Sequence, residues 1–379
     1  MAILSSFLVA GLILTIGTTA SRASPIVSDP HKYFTKKIRQ AVDKADSISP
    51  DAVPYAAKYP TIDISPWINP DSSTDGEQRH VVYQLLEQAI DTGSFNIIGH
   101  NVTLELLDRL ETSTAKFFSQ STDFKRQFST GDNKSGYKAN QEERYGATVF
   151  KTDNPREQEG DMRESYSVVY PLGYSENAQG PEYFQSALNE YIEKLQPVEL
   201  ALSNIFSAAL SLAKGIYLPL TYLHEVDGGT TGFMRALRYP AMPSEYDDAN
   251  RLLPHSDFGT FTILYSTEKG LEEIRDGKWV EVPMSKEKGE LHVTIGEVYS
   301  MWSNELFAHN IHRVSKRAVK DRISFAYFLP QGESDAGKAS WGIVPMCAKD
   351  EQPKFPRTSA AMHLDKYIAS MIKGESVVE

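Results

Sequence analysis

Cysteine is almost absent: Cys347 is the only one in 379 residues. No disulfide can form within the chain, and no zinc or iron–sulfur site built on several thiolates is possible. Any metal must therefore rest on histidine and carboxylate. Cys347 itself, in WGIVPMCAKD, has no neighbour of the kind that stabilises a thiolate, so it reads as an ordinary small residue and not as a nucleophile. Basic residues are also in deficit, with Lys and Arg numbering 39 against 50 Asp and Glu, for a net charge of -11. That balance argues against a general binder of nucleic acid or of anionic membranes. It leaves open an anionic small molecule, because salt screens charges beyond roughly 10 Å and a local cluster of Arg or Lys acts independently of the total. There is no internal repeat or low-complexity tract, and after the first residues no stretch is long and apolar enough to cross a bilayer.

What is present suits a folded enzyme. Hydrophobic residues make up 41% and aromatics 11%, and the length allows one large domain or two small ones, either with a sizeable core. The first 23 residues have an apolar run from Ile3 to Ile16 followed by small residues, with Thr18-x-Ala20 and Ser21-x-Ala23 both usable by a signal peptidase. They read as a signal peptide, although no Lys or Arg precedes the run, with an uncleaved anchor as the alternative because the run is short for a full span of about 20 residues. Residues 24–59, polar and Lys-bearing, read as a linker or second targeting piece. The expected destination is the secretory pathway (secreted or ER) or, alternatively, a plastid reached by a signal-peptide-led route. Sequons at Asn101-Val-Thr103 and Asn133-Lys-Ser135 would be open to glycosylation there.

Residues 60–230 read as a mixed helix and strand region. TIDISPW is a short strand ended by Pro66, HVVYQLLEQAIDTG a helix closed by Gly93, and SFNIIGH a strand. TLELLDRLETSTAKFFSQ repeats apolar residues at helical spacing. From Glu182 to Lys214 the pattern predicts one long helix or two, with a kink or break at Pro197. Residues 231–331 change texture. Short β-rich runs follow one another without intervening helices, and Asp276-Gly277 is a hairpin signal. The expected fold is α+β, with a double-sheet jelly roll as core and flanking N-terminal helices. Residues 332–379 form a C-terminal extension.

The chemistry concentrates in that β-rich part. LLPHSDFGTFTILY places His255 and Asp257 two apart at the start of an apolar strand, where period two predicts one face for both. SNELFAHNIHRVSK adds His309 and His312, and two His with one carboxylate make the ligand set of non-haem iron(II) oxygenases, with other coordination positions left for substrate and O₂. Downstream, DRISFAYFLP sets Arg322 and Ser324 two apart on an alternating strand, with Ile323, Phe325 and Tyr327 on the opposite, packed face. An inward Arg there needs an anionic partner, and guanidinium plus hydroxyl make a carboxylate clamp.

These segments carry a resemblance. PHSDFGTFTILY, WSNELFAHNIHRV and RISFAYFLP, in that order, resemble the iron- and 2-oxoglutarate-dependent dioxygenases of the isopenicillin N synthase-like superfamily. Upstream, PTIDISPW, DTGSFNIIGHNV, AKFFSQSTDFKRQF and FMRALRYPAMP resemble the same family, so the likeness spans roughly residues 60–330. The resemblance implies a double-stranded β-helix core, Fe(II) on His255, Asp257 and His312, and 2-oxoglutarate bound to the iron, Arg322 and Ser324. Tyr239, in RYP, matches a family tyrosine that hydrogen-bonds the co-substrate. Among the two downstream histidines the resemblance selects His312, because Arg313-Val314 follows it, and leaves His309 as a pocket residue. His100, His224 and His292 read as structural. The chain departs from plant members at Leu237, where Asn is usual, and at Gly99-His100-Asn101 in place of Asn-His-Gly.

The implied activity is oxidation of a C–H bond of a small molecule of specialised metabolism, with O₂ and 2-oxoglutarate as co-substrates and ascorbate as reductant. Hydroxylation, desaturation or ring closure of the kainoid-synthase type are all compatible, and nothing in the sequence sets an oligomeric state. Two rivals stand beside it. One is an oxidase of the isopenicillin N synthase kind, which turns the same clamp on its substrate's own carboxylate. The other is a non-catalytic binding protein on the same fold. Candidate pocket-wall residues are Arg235, Arg238, Tyr265, Phe307 and Phe328.

Overall fold

The structure is a computed structural model that describes residues 26–55, 58–130, 135–144, 154–170, 178–217, 219, 225–226, 229–230, 232–241, 249–315, 320–329, 342–343 and 345–359. The expected signal peptide, His224 and Asn133 lie outside these residues.

The segment expected to be a linker contains a helix, α1 (Pro30–Ile48), capped by Asp29, whose carboxylate accepts from the amides of His31 and Lys32. Phe34, Ile38, Val42 and Ala45 fall on one stripe and are buried. Ile38, Val42 and Ala45 pack on Trp279, whose indole N–H donates to Asp46 at 2.7 Å. The polar composition that suggested a linker belongs to the exposed face of this amphipathic helix.

Three of the helices that follow are long: α2 (Asp75–Asp91), α3 (Leu104–Phe118) and α4 (Glu182–Lys214). Thr74 and Glu77 close a capping box at the start of α2, and Gly93 just beyond its end takes φ 70. Pro197 does not end α4, which runs through it as one helix to Gly215 in the left-handed region. Leu195, Val198, Leu202, Ile205 and Phe206 are all fully buried around it. That packing exceeds the roughly 3 kcal/mol an interior proline costs.

In chain order the strands of the two main sheets are β1 (Val53–Pro54), β2 (Thr61–Asp63), β3 (Ser94–Ile98), β4 (Gly136–Lys138), β5 (Glu164–Tyr170), β6 (Gly232–Tyr239), β7 (Leu252–His255), β8 (Phe261–Ser266), β9 (Leu271–Arg275), β10 (Lys278–Glu281), β11 (Leu291–Ile295), β12 (His312–Val314) and β13 (Arg322–Leu329). The larger sheet has eight strands in the order β2-β3-β11-β8-β13-β6-β5-β4, and the smaller has five in the order β1-β10-β9-β12-β7. This is the jelly roll with flanking helices that the strand-after-strand pattern predicts. Strands from before residue 230 complete the larger sheet, β5 pairing with β6 from Glu164↔Arg238 to Tyr170↔Gly232. Asp276 and Gly277, both at positive φ, form the two-residue turn between Arg275 and Lys278.

Alternation decides what faces where. Phe261, Ile263 and Tyr265 of β8 and Ile323, Phe325, Tyr327 and Leu329 of β13 join the main hydrophobic core with α2, α3 and α4. Thr262 of β8 and Arg322 and Ser324 of β13 therefore face the other way, into the roll.

Candidate metal and co-substrate site

His255 and His312 meet because their strands do: in the antiparallel pair of β7 and β12 they are direct register partners, and their ring centroids are 4.3 Å apart. Asp257 arrives differently from the expectation. His255 is the last residue of β7, and Asp257 lies in the loop before β8, so the turn, and not period two along a strand, brings the carboxylate round. Its Oδ1 stands 4.0 Å from Nε2 of His255 and 3.9 Å from Nε2 of His312. One ligand atom from each of the three lies within 4.8 Å of the others, and all three residues are buried.

The surroundings prepare those atoms for a cation. Nδ1 of His255 is 2.8 Å from the carbonyl of Leu253, which makes it the protonated nitrogen and leaves the lone pair on Nε2. Burial, reinforced by the adjacent His312, holds the His255 pKa well below its usual value, so the ring is neutral. Thr262 and Thr294 donate their hydroxyls to Oδ2 of Asp257, at 2.5 and 3.3 Å, which turns Oδ1 toward the histidines. Beside His312, Glu273 is its register partner on β9. That carboxylate is fully buried and satisfied by Tyr59, Ser94, Arg275 and Asn310. Two imidazoles and one oriented carboxylate fit a divalent transition metal such as iron(II).

Comparison with known proteins agrees with this chemistry. The 2OG-Fe(II) oxygenase superfamily model matches residues 231–331, and the model for the N-terminal region of non-haem dioxygenases in morphine synthesis matches residues 59–187. The chain belongs to the 2-oxoglutarate- and Fe(II)-dependent oxygenases. Among curated relatives, a 1-aminocyclopropane-1-carboxylate oxidase homolog of Arabidopsis thaliana is 24% identical over 331 residues, covering 87% of this chain and 84% of that protein. A 2-oxoglutarate-dependent dioxygenase of Didymella fabae is 26% identical over 292 residues, covering 71% and 84%. Among solved structures, a full-length Neurospora crassa protein in complex with alpha-KG superposes with a TM-score of 0.67 at 19% identity, covering 82% of this chain and 96% of that one. JOX2 in complex with 2OG, Fe and JA gives 0.65 at 20% identity, covering 92% and 98%. The last two establish the shared fold.

In this oxygenase Arg322 and Ser324 lie inside the roll, each 1% exposed. Nη1 of Arg322 donates to the Ser324 hydroxyl at 3.2 Å and Nε to the Glu268 carbonyl at 3.3 Å, while Nη2 has no hydrogen-bond partner among the described residues. Tyr239, register partner of Arg322, is buried against the guanidinium, with its ring centroid 5.2 Å from Cζ. A buried cation with a free N–H and a hydroxyl alongside fits a carboxylate.

Other expected residues fall elsewhere. Tyr265 and Phe307 sit in the helix-side core, and the Tyr265 hydroxyl donates to Glu111. Neither is a pocket wall, because the strand alternation that turns Thr262 inward turns Tyr265 outward. Arg238 faces the helix side as well, paired with Glu164 and Asp321. Arg235 faces inward on β6, paired with Glu143, and Phe328 packs with Leu237 and Tyr239. His292 is 2.9 Å from Oδ1 of Asn96, and His100 is 2.8 Å from the Gly289 carbonyl, both structural contacts.

His309 is not part of the site: its ring meets Phe34 of α1 edge-on at 4.8 Å. Its Nε2 is buried without a partner among the described residues, and burial pushes its pKa from 6.5 to about 4. Between those values the unfolded chain holds a proton that the folded one does not. Stability is therefore complete above pH 6.5 and is lost as pH falls toward 4, by roughly 2 kcal/mol at most because the residue is partly exposed. Replacing His309 with Phe, which keeps the ring contact, should flatten the fall in melting temperature across this window. An unchanged slope would place the acid sensitivity in other groups.

The residues missed from the sequence are Thr262 and Thr294, which orient Asp257. Thr262 could have been found from the alternation of FTILYS.

Proposed function

We propose that this oxygenase oxidises a C–H bond of a small polar metabolite, with His255, Asp257 and His312 holding Fe(II) and Arg322, Ser324 and Tyr239 holding the distal carboxylate of 2-oxoglutarate. The observation that carries the reading is that β13 presents a buried guanidinium with an unpartnered N–H to the same interior that contains the three metal-ligating side chains. When bound, iron and 2-oxoglutarate with O₂ supply an oxidant able to take a hydrogen atom from a C–H bond. The chain's own part is orientation. The Leu253 carbonyl selects the His255 tautomer, Thr262 and Thr294 aim Asp257, and the clamp on β13 sets the co-substrate's angle.

A polar substrate is supported by the wall built from β5 and β6. Arg163, whose charge reaches His255, pairs with Asp161 at 3.1 Å and with Glu143 at 3.6 Å, and Arg235 and Ser165 also bind Glu143. That side therefore carries a cluster of charged and hydroxyl side chains beside the apolar group of Leu237, Tyr239 and Phe328. Hydroxylation, desaturation or ring closure, as in kainoid-type synthesis, then depends on which substrate carbon stands over the metal. The reading is tested by O₂ uptake and succinate release against a metabolite extract, with iron(II) and ascorbate as reductant. Succinate should appear in proportion to substrate consumed; substrate turnover with no 2-oxoglutarate added would favour an oxidase of the isopenicillin N synthase kind.

For this specialised-metabolism role we place the mature enzyme in the secretory pathway or, by a signal-peptide-led route, a plastid. Support comes from the apolar run Ile3–Ile16 with its small residues and from the exposure of Asn101 in the first sequon. Mass spectrometry of the native protein should find a chain beginning after Ala20 or Ala23, and an intact Met1 would refute it.

A further inference from the structure

Arg251 stands four residues ahead of His255 and is 0% exposed. Its Nε donates to the Ser315 carbonyl at 3.0 Å, but neither Nη1 nor Nη2 has a hydrogen-bond partner among the described residues. Buried guanidiniums in folded proteins are ordinarily satisfied on all sides, since each open N–H forfeits its hydration. This one also lies beside a second cation. Its Cζ is 5.5 Å from the ring centroid of Tyr239, and Cζ of Arg322 is 5.2 Å from the same centroid.

Among the described residues, the carboxylates that act on the pair, Glu272 and Asp321, are each held by another arginine. Glu272 is held by Arg313 at 2.7 Å, and Asp321 by Arg238 at 2.5 and 2.9 Å. Burial and the Arg322 charge together push the Arg251 pKa down to about 10, which still leaves it a cation at neutral pH. The chain also makes room for the pairing. A side chain at Gly270 would begin 2.8 Å from Nη2 of Arg251 and 3.7 Å from Cδ of Arg322, and Gly270 takes φ +119. Bare backbone there lets the two arginines lie together. Two buried, mutually repelling cations with open N–H groups and no carboxylate bonded to either among the described residues are explained by an anion between them.

We propose that Arg251 is a second cation of the co-substrate pocket, so that the distal carboxylate of a dicarboxylic 2-oxo acid is held by two guanidiniums, those of Arg251 and Arg322, against Tyr239. The inference rests on the 2-oxoglutarate reading above and adds a determinant to it: the double charge selects a 2-oxo acid with a far carboxylate over one that ends in a methyl group.

Calorimetric titration of the Mn(II)-loaded enzyme without O₂ tests this, using 2-oxoglutarate and 2-oxopentanoate, which has a methyl in place of the distal carboxylate. Arg251→Gln should weaken 2-oxoglutarate by about ten- to a hundredfold, as loss of hydrogen bonds to a charged group does, and leave 2-oxopentanoate within about twofold. Arg251→Lys, which keeps charge and most of the volume, should show a smaller loss of the same selectivity, and it carries the test if the Gln variant misfolds. An equal loss for both acids would make Arg251 a merely structural residue and overturn the proposal, as would an unchanged affinity for 2-oxoglutarate. If the unaltered protein binds the two acids equally, the 2-oxoglutarate reading itself fails, and this inference with it.

Discussion

Asp257→Ala should bind iron more than about a hundredfold less tightly than the unaltered enzyme and lose measurable turnover, while its metal-free melting temperature falls by only a few degrees. Loss of a residue that merely orients a ligand costs about 10–100-fold in metal affinity or activity, and loss of a charged ligand should exceed that. Asp257 supplies the only carboxylate in the cluster, with Oδ1 turned to both imidazoles. Without it only the two imidazoles remain, and the cation loses the one carboxylate of the cluster. The fold should tolerate the change because Asp257 sits in the loop between β7 and β8. The substitution strands only the hydroxyls of Thr262 and Thr294, at about 1–3 kcal/mol each if neither finds another acceptor. Metal content of the purified variant and its single-turnover activity decide the matter; normal iron occupancy would remove Asp257 from the site.

Arg322→Lys should raise the apparent KM for 2-oxoglutarate by about ten- to a hundredfold with a smaller effect on kcat. Lysine keeps the charge but loses the planar fork. Ser324→Ala should do less, since it removes one hydroxyl whose position the guanidinium already fixes at 3.2 Å. Arg322→Ala should do more, because the co-substrate's carboxylate would then be buried without its partner. Steady-state kinetics with 2-oxoglutarate and primary substrate varied separately distinguishes the readings. If Arg322→Lys acts only on the KM of the primary substrate, the clamp belongs to that substrate.

Much of this was legible because its signals are local. The turn at Asp276-Gly277 needs positive φ at two adjacent residues, and Asp and Gly tolerate it, so the hairpin is written into a dipeptide. The helix α3 and the opposed faces of β13 follow from apolar spacing alone. His255, Arg322 and Ser324 stand out because polar residues interrupt apolar strands at positions where burial demands a partner, and Asp257 stands out by its place two residues beyond His255. Composition misled where it averaged over an element: α1 reads as polar linker until Phe34, Ile38, Val42 and Ala45 are placed on one stripe.

Tertiary structure decided the rest. That His312 and not His309 joins His255 depends on the register of β7 with β12, a pairing between strands far apart in the chain. The continuity of α4 through Pro197 depends on the sheet it covers, since only burial on that face outweighs the missing hydrogen bond. Tyr265 and Thr262 differ by three positions on one strand, and only the side on which the helices pack makes one a core residue and the other the support of Asp257. Arg251 has no distinguishing neighbour in sequence. Its meaning appears when folding sets it beside Arg322 with no carboxylate bonded to it among the described residues, because the cost of a buried charge is settled by whatever else shares its interior.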